Sequence, residues 1–251
     1  MLSWAQQRKL FFWGGLTLFF LVVFGVYGAL SFSKAPNCSN NAKDGNERGI
    51  DCGGSCARVC RADVAMPTIE FARALEVAEG VWGAVAYVQN RNAVAGARNV
   101  PYVFKLYDAD SLLLYERHGT TFIPPRKAFA VFEGKMLSGN RTAVRATFEF
   151  TGEPVFMRMQ EPELSVTTKD FTTSEQQSSL QAVIANPSRI PVEGIELTAL
   201  LFGADGNVIG ASATAVKKLA GEANAPLNFT WPRPFADPAR IEILYTVPGR
   251  N

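Results

Sequence analysis

Four cysteines, Cys38, Cys52, Cys56 and Cys60, carry the one spacing in this chain that points to covalent chemistry, and all lie in one short polar stretch. That stretch is rich in Asn, Asp and Gly and too poor in apolar side chains to build a core, so two disulfides in place of a core are the simplest expectation. Spacing leaves all three pairings open. A zinc site would want closely spaced cysteine pairs at both ends, and Cys38 has no near partner. Asn40, Asp44, Asn46, Glu47 and Asp51 interleave with the cysteines as hard oxygen donors, the ligand type calcium takes. The run does not follow the EF-hand pattern, and the same residues are the ordinary material of tight turns. No cofactor is expected apart from calcium at these five side chains.

Catalytic chemistry finds less to build on. His118 is the single histidine and falls in a loop pattern with no serine or cysteine motif to serve as its nucleophile. Asp108, Asp110, Glu116 and Glu133 could supply a hydrolytic carboxylate pair, but nothing in their spacing separates them from surface charge. The expectation is a protein that is not an enzyme. Tyr107, Tyr115, Phe122, Phe129 and Phe132 concentrate aromatic area in one region, most of it expected in a core. A partner-facing patch at Tyr107, Asp108, Tyr115 and Phe122 is the candidate binding site.

The element that decides where these residues work is Leu10 to Leu30, which contains no charge. As a helix it would rise roughly 31 Å, the thickness of a bilayer hydrocarbon core. Arg8 and Lys9 precede it and the next basic residue is Lys34, so the positive-inside rule predicts a cytoplasmic N-terminus and extracytoplasmic domains on the cytoplasmic membrane. A cleaved signal peptide is the competing reading, though the apolar run exceeds the usual signal length. Formal charge is +2, from 25 basic and 23 acidic side chains, and no basic run is long enough to suggest nucleic acid.

From Phe71 onward the chain reads as short apolar runs separated by turn residues, which predicts antiparallel β-sandwiches, although Phe71 to Glu79 alone could form a short helix. Leu75 to Tyr87 is apolar on both faces, as in a buried strand. Pro101 to Tyr107, the turn Asp108 to Ser111 and Leu112 to Glu116 read as a hairpin. The second half repeats the plan: Gln181 to Asn186 matches Ala86 to Asn90 and Glu196 to Phe202 matches Pro101 to Tyr107. The repeat of roughly 95 residues suits tandem sandwiches rather than a solenoid. Gly206 supplies a hairpin glycine where the first copy has Ser111.

Two resemblances follow from these residues. Cys38 to Cys60, with Gly45, Glu47, Gly49, Asp51, Cys52, Gly53 and Gly54 in place, resembles the "DCGG" cysteine motif of bacterial surface proteins; Asn41 and Arg48 depart from it. Phe104, Leu106, Tyr107 and Asp108, with Tyr87 to Asn92 upstream and Thr120 to Pro125 downstream, resemble the FxLYD family of immunoglobulin-like β-sandwiches in exported prokaryotic proteins. Pro124-Pro125 stands where that family has Pro-Gly. The expected architecture is mainly β: a cytoplasmic tail (1–9), a transmembrane helix (10–32), a cysteine-rich collar and linker (33–66), and immunoglobulin-like sandwiches at 67–155 and 156–251. The expected role is non-enzymatic presentation of two domains for binding or adhesion. Its partners would be membrane lipid through one helix and an envelope or extracellular protein, without nucleic acid. The alternative is an accessory subunit of an envelope or secretion assembly.

Overall fold

A computed structural model describes residues 4–32, 37–138 and 141–248, which group into two compact units, 1–60 and 61–251. In the first unit, helix α1 (Trp4–Phe32) begins earlier than the apolar run suggested, taking Arg8 and Lys9 into its opening turns. Arg8 lies over the Trp4 ring at 4.7 Å, a contact one turn apart that favours this extension. Met1 to Ser3 of the expected tail fall outside the described residues. Gln6–Ala29 is long and apolar enough to cross a membrane, with a mean hydropathy of 2.1, and none of that window is buried in protein. Lipid is the solvent that such a surface fits.

Among its described residues, the regular structure of the second unit is strand apart from one 3-10 turn at Arg61–Asp63. Its first six long strands are β1 (Thr68–Ala78), β2 (Val81–Gln89), β3 (Ala95–Tyr107), β4 (Leu113–Ile123), β5 (Ala128–Ser138) and β6 (Arg145–Phe150), followed by the short β7 (Met157–Arg158). The remainder is β8 (Ser165–Thr173), β9 (Ser178–Asn186), β10 (Val192–Phe202), β11 (Val208–Leu219), β12 (Ala223–Trp231) and β13 (Arg240–Thr246). Sheet β1-β2-β5 packs on β4-β3-β6, and sheet β12-β9-β8 packs on β11-β10-β13, so the two halves share one topology. The helix considered for Phe71 to Glu79 is not formed. Phe71 instead pairs with Tyr87 and Leu75 with Gly83 in the β1–β2 ladder, because both sides of this strand have apolar neighbours to meet. β7 pairs with Ala95 and Gly96 of β3, so the ladder of the first half runs on to Arg158.

Each half is closed by the same corner. Asn90, at the end of β2 and fully buried, donates through Nδ2 to the carbonyls of Ala95 (2.8 Å) and Pro124 (2.7 Å). Its Oδ1 accepts from the amide of Asn92 at 3.1 Å. Asn186 donates to Ile190 (2.9 Å) and Ala220 (3.1 Å), and its Oδ1 accepts from the amide of Ser188 at 3.1 Å. The amide of Arg126 then donates to Asn92 O, and that of Glu222 to Ser188 O. Arg126 and Glu222 both take left-handed backbone, φ 60° and 54°. Asparagine suits this position because one amide group carries both donors and an acceptor, and a buried carbonyl left unpaired costs about 1–3 kcal/mol.

The halves are not separate beads. The face of β1-β2-β5 turned away from its own core packs on β10, β11 and β13, giving four stacked layers of sheet. Leu75 and Val85 of the first half and Leu200, Phe202, Val208 and Ala211 of the second form the buried centre, with Phe71, Tyr87, Ala130 and Phe132 around it. This accounts for the two apolar faces read from Leu75 to Tyr87. Ala84, Ala86 and Val88 are buried on one side of β2, and Val85, with Tyr87 beside it, faces the second sandwich on the other. β10 divides the same way: Ile195, Leu197, Ala199 and Leu201 enter the core of the second half, while Leu200 and Phe202 enter the seam. A fully buried side chain of this size contributes about 1.5–3 kcal/mol relative to exposure.

Candidate functional site

The cysteine segment resolves the pairing that spacing left open: Cys38 bonds Cys56 and Cys52 bonds Cys60. The five oxygen-bearing residues around them are occupied within the segment. The buried Asp51 carboxylate accepts the amides of Asn40 and Asn41, each at 2.9 Å, and the buried Glu47 accepts the amide of Asp51 at 3.2 Å. Asp44 accepts from Asn37 N (2.9 Å) and Asn40 Nδ2 (2.7 Å), Asn40 Oδ1 accepts from Ala42 N (2.9 Å), and Asn46 Oδ1 accepts from Ser55 Oγ (3.0 Å). Among the described residues, the group of potential metal ligands found within 4.8 Å of one another is Cys38, Glu47 and Cys56, of which two form a disulfide. Each of these five residues thus accepts a hydrogen bond from within the segment. The motif glycines have a packing reason: a Cβ at Gly54 would lie 2.1 Å from Asn46 O, and one at Gly49 would lie 2.8 Å from Cys52 Sγ. Gly54 also has φ 58°, the left-handed region that glycine enters without strain.

The candidate binding residues do not form one patch. Tyr107 and Asp108 sit where β3 ends, and the Arg145 guanidinium lies over the Tyr107 ring at 4.1 Å. Asp108 Oδ1 accepts the amides of Asp110 (3.1 Å) and Leu112 (2.8 Å), and its Oδ2 accepts from Arg141 at 3.1 Å. It builds the hairpin turn. Tyr115 is partly exposed near the same end, opposite Leu106, whereas Phe122 is buried near the far end of β4. At about 3.3 Å per strand residue, the two are roughly 23 Å apart. His118 pairs with Glu116 at 2.6 Å on β4. Glu133 accepts the Tyr102 hydroxyl at 2.7 Å across the β3–β5 side, and Gly119 gives that ring its room, since a Cβ there would lie 2.5 Å from the hydroxyl. Burial, then this bond, pushes the Tyr102 hydroxyl well above the usual tyrosine range.

One concave feature of this unit could not be revealed by periodicity, because it arises where the two halves meet. Beyond the apolar seam, a cleft of about 720 Å³ opens between the β4 and β5 edges of the first sandwich and the β10–β11 face of the second. Thr120, Phe122 and Phe132 form one wall; Glu196 and Thr198 of β10, with Ala213 and Ala215 opposite them on β11, form the floor. Arg98 and the left-handed Asn99 stand at its mouth. The one signal in the sequence was that Glu196 and Thr198 break the apolar run on the outer face of β10, whose later positions Leu200 and Phe202 are buried.

Polar braces surround the seam and hold the cleft's walls in register. Tyr87 donates to Glu242 Oε1 at 2.9 Å, and Arg233 donates to Glu76 O (3.0 Å) and Oε2 (3.1 Å). Arg73 donates to Asn207 Oδ1 at 2.9 Å. Burial first, and Glu242 second, push the Tyr87 hydroxyl up to about 12. In the connection between the sandwiches, Lys127 pairs with Glu161 at 2.7 Å, lies over the Tyr245 ring at 3.5 Å, and Glu161 also accepts the amide of Val247 at 2.7 Å. Burial shifts both partners toward neutrality, Lys127 down and Glu161 up, and their mutual attraction opposes it. The linker from Arg61 is tied down as well: Asn92 donates to Ala65 O at 2.7 Å and accepts its amide at 2.9 Å.

The assembled features define a class: an apolar helix, a disulfide-stapled segment and a fused pair of β-sandwiches. No protein-family model and no curated protein matches the chain. Among solved structures, the chain is similar to a transglutaminase of red sea bream, at 14% identity over 73% of this chain and 29% of that one. The TM-score is 0.23, too low for fold or activity to be carried across.

Proposed function

We propose that this is a non-enzymatic, single-pass membrane protein with its N-terminus in the cytoplasm, presenting the double sandwich outside the cytoplasmic membrane to a protein partner. The observation that carries the reading is the braced, polar cleft between the sandwiches, in a body where Asp108, Glu133 and Glu242 accept structural hydrogen bonds. The resemblances of the Cys38 to Cys60 segment to bacterial surface motifs and of Phe104 to Asp108 to FxLYD sandwiches support the same placement. The collar acts as a calcium-independent spacer, because its oxygens accept backbone amides. A chelator should therefore leave its melting temperature unchanged; a fall in chelator, reversed by calcium, would show a cation bound there.

A second reading, an accessory subunit of an envelope assembly, draws on the exposed Leu112, Leu113 and Val144 near the β3–β4 tip. Cross-linking on intact cells, with a tag after Asn251 and mass spectrometry of what is captured, separates the two. One recurrent partner lost on filling the cleft with Thr198→Tyr supports the binding role. Several partners at fixed ratio, lost with Leu112→Asp but not with Thr198→Tyr, support the subunit role. A tag reached only from the cytoplasm contradicts both.

A further inference from the structure

We infer that the cleft takes an extended polypeptide segment, which adds as a strand to the open edge of β5. This rests on the binding role proposed above and names the chemistry of the ligand. β5 pairs with β2 alone and β4 with β3 alone among the described strands, and both unpaired edges line the cleft. The amide of Asn90 donates to Lys127 O, which continues the β2–β5 register one pair beyond Gln89 and Ala128. In an antiparallel ladder, hydrogen-bonded and non-hydrogen-bonded pairs alternate. Phe129, Val131 and Glu133 therefore spend their backbone groups on β2, while Ala130 and Phe132 turn theirs outward. Both border the cleft, with Val131 between them.

A row of alternating outward donors and acceptors is matched by the backbone of another strand, whatever its side chains, which is how edge addition gains affinity. The surroundings suit such a segment. Thr120 and Thr198 offer hydroxyls to side chains of the segment, Ala213 and Ala215 offer apolar area, and Arg98 and Glu196 place opposite charges at the cleft. The volume of about 720 Å³ lies within the range of ordinary ligand sites.

The test uses the full chain in lipid nanodiscs and a phage-displayed library of random linear peptides, followed by one synthesised binder. Amide exchange at Ala130 and Phe132 should slow at least about tenfold with that peptide. Methylating alternate backbone nitrogens of the peptide should abolish binding in one register and spare it in the other. Ala130→Pro removes one outward amide without touching the β2 ladder, since proline is tolerated where an edge N–H faces away from its sheet. It should weaken binding about tenfold, the worth of one hydrogen bond, with the melting temperature held. Thr198→Tyr, on the floor, provides a variant that leaves β5 unaltered and should also weaken binding. Enrichment of no peptide, protection elsewhere than β5, or concentration-dependent protection of β5 without peptide, as a second copy would give, would each overturn the inference. A cellular partner still captured by Ala130→Pro would overturn edge addition while leaving the binding role standing.

Discussion

The two sandwiches build their corners around the same buried asparagine, while at their hairpin tips they keep the backbone and change the side chain. Asn90 and Asn186 are buried and bonded alike, and the equal spacing from Asn90 to Asn186 also separates Asn92 from Ser188, Pro124 from Ala220 and Arg126 from Glu222. Between those fixed points the chain is free to vary. Gly221 lets the Arg189 carbonyl come so near that a Cβ would lie 2.2 Å from it, whereas the first half has Pro125 at the equivalent place. At the tips, Ser111 and Gly206 both take left-handed backbone, φ 62° and 77°, and close the same turn bonds to Asp108 and Gly203. Buried polar groups tolerate little change because each unmet bond is costly, whereas an exposed tip can absorb the strain of a serine.

The largest expected effect comes from the seam that joins the halves. Phe202→Ala should cost about 3–5 kcal/mol by cavity formation and split one unfolding transition into two. Loss of that size without splitting would mean that Phe202 serves the second sandwich alone. Next are the corners. Asn90→Ala and Asn186→Ala should each cost about 2–3 kcal/mol, since two carbonyls lose their donor, and denaturant melts should place the two losses within about 1 kcal/mol of each other. A much smaller loss at one would break the equivalence of the halves.

Alkaline pH probes the brace across the seam. The Tyr87 hydroxyl is raised from 10.0 to about 12 in the folded chain, so its contribution is fully present below about 10 and is lost as pH rises through about 12. Stability measured across that window should fall more steeply in the native chain than in Tyr87→Phe; parallel curves would remove Tyr87 from the brace. The smallest effect belongs to the tips: Ser111→Gly should stabilise by about 0.5–1 kcal/mol, and Gly206→Ser should destabilise by about 1 kcal/mol. If both changes are neutral, the tips do not hold left-handed backbone in solution.

Much of the fold was legible because it follows from period and punctuation. The uncharged run from Leu10 marked the helix, the hairpin from Pro101 to Glu116 was read at its turn, and the match of Gln181 to Asn186 with Ala86 to Asn90 located the two corner asparagines. The two apolar faces of Leu75 to Tyr87 were also visible, but not what covers them, because a strand's own pattern cannot name the layer beyond its sheet. The site was less legible. Tyr107, Asp108 and Tyr115 looked like a patch because they are near in sequence, yet Asp108 is spent on its turn and Phe122 lies at the other end of β4. The cleft draws Phe132, Thr198 and Ala213 from three different strands, and an edge is defined by which neighbour a strand lacks, which only topology reveals.

The central claim is that the two sandwiches form one body through the seam of Leu75, Val85, Leu200 and Phe202. Differential scanning calorimetry of the full chain in nanodiscs tests it most directly. One cooperative transition is expected for the β region, with calorimetric and van't Hoff enthalpies equal. Two transitions, each with the enthalpy of a single sandwich, would contradict it and remove the shared wall on which the cleft depends.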